Sequence, residues 1–246
     1  MPTRRSLLPL GLSALLVLTG CVTASAPAKA PNLSTHYVDT ESFVLARVIA
    51  PPPADDSPET RAELDHMMRV QSSRFREASE RAVSDAKVTV FQFADAVGSG
   101  QFVPSELPQT TELFRKIGDD ETWAAGSAKD IFKRPRPHLL EPRLQPLIQK
   151  PSSYSYPSGH AAWGFVVGLV LSDMLPEKRP EIMARAREYA NNRVVVGVHY
   201  PSDVEAGLQS GTALATALFS SVSFRADEAA AKKELRAALG LQPLTK

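Results

Sequence analysis

The sequence predicts an all-α fold, a compact multi-helix bundle, and three observations carry that prediction. Apolar residues recur at steps of three and four along most of the chain, no stretch shows the period-two alternation of a half-buried strand, and the twenty prolines fall mainly in apparent connections, where they end helices. With 246 residues, 43% hydrophobic and 22% charged, the chain can bury a substantial core, and disorder is not expected. The formal net charge of +1 gives no overall field to attract nucleic acid or an anionic membrane face. No nucleic-acid partner is therefore expected, and an anionic ligand would have to be met by local charge.

Residues 1–20 read as an export signal: Arg4 and Arg5 precede the apolar run Leu7 to Leu18, which is short for a membrane span. Cys21 is the only cysteine, so no internal disulfide can form, and "LTGC" (Leu18 to Cys21) resembles the lipoprotein processing box in which the cysteine is lipidated. The other readings are a small buried cysteine, or cleavage after Ala26 or Ala30. "TRRSLL" loosely resembles a twin-arginine signal, so either export route is open. Residues 21–35, rich in Ala, Pro and Ser, read as a flexible tether, and the helical domain is expected over 36–246. The expected location is the periplasmic side of a bacterial membrane, with the membrane as a partner through the lipid.

The helices follow in order. "PPPADDSPET" runs from an extended proline segment into a helix start, with Asp56 or Ser57 able to cap and Pro58 in the first turn. Phe75, Ala78, Ala82, Ala86, Thr89, Phe93 and Val97 form one stripe, which predicts a single long helix ending near Gly98. Leu113, Phe114 and Ile117 predict a helix from Pro108 to Gly118, and another is expected from about Asp120 to Lys133, ended by "RPRP". Residues 138–157 read as a proline-broken loop, long enough to suggest a functional role at the leaving-group side of a site, where His138 also falls. A helix beginning at Ser158 carries Trp163, Val166, Val167, Val170, Leu171 and Met174. The next, from about Pro180, puts Ile182, Ala186, Tyr189 and Arg193 on one stripe. The third runs from Pro201 to about Phe219, with Gly207 and Gly211 permitting close helix contact, and an amphipathic helix closes the chain.

Three clusters carry chemistry. In "SYPSGH", Ser158 and Gly159 stand at a helix start, where unpaired backbone N–H groups and the helix dipole make a seat for a phosphate-sized anion, and His160 stands beside it in position to exchange a proton. Lys129 and Arg136 flank a helix end, and Arg193 lies on an apolar stripe, where burial without an anionic partner would be expensive. His199 follows Arg193 by six residues, and Asp203 follows His199 by four, a spacing at which a carboxylate can hold an imidazole nitrogen and fix its tautomer. Each cluster alone also fits a bland role: a serine cap, a solvated basic face, a helix-capping pair.

Together, "K-x6-RP" (Lys129 to Pro137), "PSGH" (Pro157 to His160) and "R-x5-H-x3-D" (Arg193 to Asp203) resemble the three-part signature of the bacterial class A acid phosphatases, within the wider phosphatidic acid phosphatase and vanadium haloperoxidase superfamily. The order fits, as do the gaps of 19 residues between the first two parts and 31 from the second to Asn192-Arg193, and the resemblance spans about residues 55–220. It implies the helical fold of that superfamily and hydrolysis of small-molecule phosphate monoesters without cofactor or metal. It further implies that Lys129, Arg136, Ser158, Gly159 and Arg193 bind the phosphoryl oxygens, and that His199, oriented by Asp203, forms a phosphohistidine. His160 would protonate the leaving alcohol and then activate water. Where the family has Ser-Arg, this chain has Asn192-Arg193, which puts that one contact in question.

Competing readings are an integral lipid phosphatase, a vanadate-dependent haloperoxidase and a non-catalytic phosphate-binding envelope lipoprotein. The first would need several apolar spans of about 20 residues, and the second is usually a much longer chain. The third would need no paired histidines. The sequence fixes neither the physiological ester nor the oligomeric state.

Overall fold

A computed structural model describes residues 35–98 and 100–244. The export signal, Cys21 and nearly all of the tether expected from the sequence lie outside the described residues. Among the described residues there is no strand. The helices are α1 (Pro58–Ser73), α2 (Arg76–Ser84), α3 (Ala94–Val97), α4 (Pro108–Phe132), α5 (Pro137–Leu140), α6 (Gly159–Met174), α7 (Arg179–Val195), α8 (Pro201–Ser220) and α9 (Val222–Ala238). Single 3-10 turns occur at Leu45–Arg47, Val90–Phe93 and Pro176–Lys178.

Helix α6 is the axis of the bundle. Val166, Val167, Val170, Leu171 and Met174 are fully buried, and Trp163 and Phe165 nearly so, because a helix apolar on every side is covered on every side. It packs chiefly on α7 and α8, with α4 closing another side and α9 lying across α4. The α6–α8 crossing is close because α8 presents glycines to it. A Cβ on Gly207 would lie 2.6 Å from the Ala161 Cβ and 2.7 Å from the Ser158 carbonyl oxygen, and one on Gly211 would lie 2.6 Å from the Ala162 carbonyl oxygen. That approach brings the N-terminus of α6 against the N-terminus of α8, where the Ser158 N–H donates to the Asp203 carbonyl at 3.0 Å.

Ser57 caps α1, accepting from the Thr60 N–H at 3.1 Å with Pro58 in the first turn. Ser158 caps α6 in the same manner, accepting from the Ala161 N–H at 3.3 Å. The segment before α1 is tied down by Asp120, whose two carboxylate oxygens accept from the His36 N–H at 2.6 Å and the Tyr37 N–H at 2.9 Å.

Two helix expectations are corrected. The stripe from Phe75 to Val97 is not one helix: α2 ends at Ser84, and the chain passes through a 3-10 turn before α3 ends at Gly98 with φ +75°. Phe75 is 72% exposed, so the first residue of that stripe faces water. The break follows from Asp85, which is fully buried between Arg185 and Asn192; a carboxylate anchored there pulls the backbone out of helical register. Conversely, α4 runs unbroken through Gly118. That glycine is a packing site rather than a stop, since a Cβ there would lie 3.4 Å from the Trp163 ring. The long loop after α4 holds the short helix α5 at its start.

Candidate active site

A cavity of about 330 Å³ opens where α4, α6, α7 and the segment before α8 meet, and Lys129, Arg136, Gly159, His160, Arg193 and His199 all line it. Of the residues singled out in the sequence, Ser158 and Asp203 are fully buried and stand behind this wall rather than on it. Ile148, Pro151 and Ser153 of the long loop also line the cavity; His138 does not.

His199 is 3% exposed and is held from both sides. Its Nδ1 lies 3.1 Å from Asp203 Oδ2, and its Nε2 lies 2.8 Å from Arg136 Nη1. A guanidinium can only donate, so Nε2 is the acceptor and Nδ1 carries the hydrogen given to Asp203. The imidazole is therefore neutral, with the Nε2 lone pair directed at Arg136, and both residues line the cavity. Burial is the largest cause holding its pKa well below the ordinary histidine value, and Arg136, Lys129, His160 and Arg193 push the same way.

Asp203 is placed by its position in the third residue of α8, where its Oδ2 accepts from the Tyr200 N–H at 3.0 Å and also from the Ser155 hydroxyl. Its Oδ1 accepts from Arg134 Nη1 at 2.8 Å. Arg134 was not singled out in the sequence. It is 2% exposed, bridges Asp203 to Glu63 with Nη2 at 2.8 Å from the latter, and stacks 3.8 Å over the Tyr200 ring. Its signal lay in "RPRP", where alternate arginines leave a helix end: Arg134 turns to the carboxylate, while Arg136 turns to the imidazole.

The cations converge. Lys129 Nζ donates to the carbonyls of Tyr154, Ser155 and Pro157. Arg136 also donates to the Val198 carbonyl at 2.8 Å and to the Ser153 carbonyl at 2.9 Å. Arg193 is 1% exposed; its Nη2 donates to the Ala82 carbonyl at 2.8 Å, and its Nε has no partner. Burial pushes Lys129 down to about 7 and Arg136 down to about 10, and lowers Arg193. His160 is pushed down to about 4, by burial first and then by Arg193. Burial, joined by mutual repulsion at Lys129, His160 and His199, thus pushes every basic group in the cavity toward its neutral form, and a bound anion would oppose that shift.

The broken helix supplies the supports. The Ala82 carbonyl, which a continuous helix would pair with the Ala86 N–H, is free to hold Arg193 because that N–H turns to Val83. The Ala86 carbonyl lies 3.2 Å from His160 Nε2, and the Lys87 carbonyl accepts from the Tyr189 hydroxyl at 3.1 Å. Tyr189 in turn stacks on the His160 ring with centroids 6.3 Å apart. A carbonyl only accepts, so His160 Nε2 carries the hydrogen and Nδ1 is the nitrogen available for proton exchange. Asn192 donates to Asp85 Oδ2 at 2.7 Å; it anchors the break and is not on the cavity wall. The first-turn N–H groups of Gly159 and His160 have no acceptor within α6.

Glu121 is a second residue that the sequence reading missed. It lines the cavity, is 7% exposed, and is pushed up to about 8 by burial, against the pull of Lys129. Among the described residues no cluster of three His, Cys, Asp or Glu side chains is placed to hold a metal ion, and no helix is long and apolar enough to cross a membrane.

Comparison with known proteins bears on this arrangement. The profile of the PAP2 superfamily matches residues 121–227, which include the whole cluster. A non-specific acid phosphatase of Salmonella typhimurium is 30% identical over 217 residues, covering 84% of this chain and 86% of that protein. An acid phosphatase of Zymomonas mobilis is 28% identical over 221 residues, covering 85% and 81%. Among solved structures, a bacterial vanadium-dependent iodoperoxidase superposes with a TM-score of 0.56 at 18% identity, covering 72% of this chain and 53% of that one; this likeness is one of fold.

Proposed function

This chain belongs to the PAP2 superfamily and is an acid phosphatase, and we propose that it cleaves phosphate monoesters without a metal, through a phosphohistidine on His199, as an exported enzyme. The observation that supports the covalent route is the pair of contacts on His199: a donor to Nε2 and a carboxylate on Nδ1 leave a neutral imidazole whose Nε2 lone pair is held by Arg136, itself a residue of the cavity wall.

The arriving phosphoryl group is met by the positive charges of Lys129, Arg136 and Arg193, by the unpaired Arg193 Nε and by the first-turn N–H groups of α6, with the Ser158 hydroxyl behind them. Its negative charge draws the Arg136 guanidinium from Nε2, which frees the lone pair. Nε2 then attacks phosphorus in line as the ester P–O bond breaks, and Asp203 stabilises the imidazolium that forms. Burial first, and then Arg193, Arg136 and Lys129, hold His160 low; the same negative charge counters those cations, so that His160 takes up a proton on Nδ1 and delivers it to the departing alkoxide. In the second half, neutral His160 removes a proton from water as the water oxygen attacks phosphorus, the P–N bond breaks, and phosphate leaves. Since the positive charge comes from side chains, metal is not required.

Purified protein should therefore turn over p-nitrophenyl phosphate, retain that activity in EDTA, and be inhibited by vanadate. Loss on chelation with rescue by zinc or magnesium, or oxidation of iodide by vanadate-loaded protein with no phosphatase activity, would overturn the reading. The proposed lipid anchor rests on Cys21 at the end of the signal's apolar run. Cys21→Ser should release the protein from the membrane fraction, and a mature wild-type chain that starts at Pro27 or Pro31 would refute the anchor.

A further inference from the structure

Glu121 lines the phosphate cavity and has no task in the mechanism above. It is 7% exposed, and its Oε1 has no hydrogen-bond partner. A buried carboxyl in that state is unfavourable unless an occupant of the cavity meets it. The neighbouring cations do not: Lys129, two turns along α4, directs Nζ to three backbone carbonyls, and Arg136 is turned to Ser153, Val198 and His199.

The place of this carboxyl decides what could meet it. Oε1 lies 3.2 Å from where a Cβ on Gly159 would stand, so the group abuts the first residue of α6, whose N–H belongs to the phosphate seat. A second anionic group there would be repelled, and the remaining lining is uncharged: Val88, Ile148, Pro151 and Trp163, with Thr122 and Ser153. The occupant is thus part of the substrate's alcohol and carries a donor. A hydroxyl or an ammonium could donate to this oxygen, but an ammonium supplies three donors and also a positive charge that strengthens the contact by favouring the carboxylate form. Burial pushes the carboxyl up to about 8, and a cation beside it would favour the ionised form that pairs with an ammonium.

We propose that Glu121 is a specificity-determining residue that receives an ammonium group on the leaving alcohol, so that phosphates of short amino alcohols are preferred substrates. This rests on the reading of the cavity as a phosphomonoester site. Gly159 limits the reach: the carboxyl lies 3.2 Å from where its Cβ would stand, next to the N–H assigned to the phosphate seat, so only a short carbon chain can separate the amine from the ester oxygen.

The test compares 2-aminoethyl phosphate with propyl phosphate, in which a methyl group replaces the ammonium, as the ratio of kcat/KM at pH 6. Hydrolysis of p-nitrophenyl phosphate by the same preparation monitors the phosphatase reading separately. Wild type should favour the aminoethyl ester by about tenfold or more, the size of one charge-assisted contact, and Glu121→Gln should bring the ratio close to one. A wild-type ratio near one overturns the proposal without any variant, as does failure to cleave the aminoethyl ester while p-nitrophenyl phosphate is cleaved. A ratio that Glu121→Gln leaves unchanged, with both esters slowed alike, also overturns it and would place Glu121 on the phosphoryl group instead.

Discussion

Arg134→Met tests the support beneath the proposed nucleophile. The substitution keeps an unbranched side chain of similar length over the Tyr200 ring but removes the charge that joins Asp203 and Glu63, both at 2.8 Å from the guanidinium. Arg134 and Asp203 have side chains 1% and 0% exposed, so their pairing is little screened by solvent, and removal of one partner leaves a buried carboxylate. Breaking such a pair costs about 3–5 kcal/mol. For a domain of this size that is a fall in Tm of roughly 6–20 °C. Catalysis should change in a way that lost stability alone does not produce. Without Arg134, Asp203 interacts more strongly with the His199 imidazolium, so the depressed pKa of His199 rises and the acid limb of the kcat/KM profile moves to higher pH. Urea denaturation and a pH–rate profile read both effects. A loss below about 1 kcal/mol with an unmoved acid limb would refute the reasoning, because Arg134 would then act neither on the fold nor on the imidazole.

Gly207→Ala places a Cβ 2.6 Å from the Ala161 Cβ and 2.7 Å from the Ser158 carbonyl oxygen, so α6 and α8 must separate. We expect a stability loss of about 1–3 kcal/mol and a fall in kcat of roughly ten- to a hundredfold at temperatures where the variant is still folded, since His160 moves relative to His199; an unaltered kcat would contradict that geometry. Glu121→Gln probes burial through pH: a carboxyl raised to about 8 in the folded protein contributes stability that is present below its unfolded pKa and lost as pH rises through about 8. The variant should therefore gain stability relative to wild type at pH 8 compared with pH 5, and an equal difference at both would refute it. His160→Ala should slow alkyl phosphates more than p-nitrophenyl phosphate, whose leaving group departs with little protonation; equal losses on both esters would remove His160 from the role of acid.

Much of the site was legible in the sequence because its chemistry is local. A helix cap with a glycine and a histidine, and a histidine followed by an aspartate four residues on, keep their geometry wherever the helices lie. Lys129, Arg136, Gly159, His160, Arg193 and His199 accordingly meet in one cavity. Arg134 and Glu121 were not legible for the converse reason. Their meaning comes from distant partners: Glu63 and Asp203 for one, Gly159 and the cavity for the other. The helix errors have the same origin. Periodicity carried the Phe75 to Val97 stripe across a break set by Asp85 with Arg185 and Asn192, and Gly118 ended nothing because Trp163, from another helix, packs over it. The predicted all-α class needed no such information, since the helical period and its proline stops are written residue by residue.

The covalent intermediate on His199 is the central claim, and trapping it is its most direct test. Wild-type enzyme mixed with a radiolabelled phosphate ester under single-turnover conditions, quenched at neutral or alkaline pH to preserve a P–N bond, and digested for mass spectrometry should yield phosphohistidine at position 199. His199→Ala should yield none, with turnover abolished and orthophosphate still bound by Lys129, Arg136 and Arg193. A labelled phosphoenzyme that persists in His199→Ala, or no phosphoenzyme in wild type while substrate is consumed, would contradict the account.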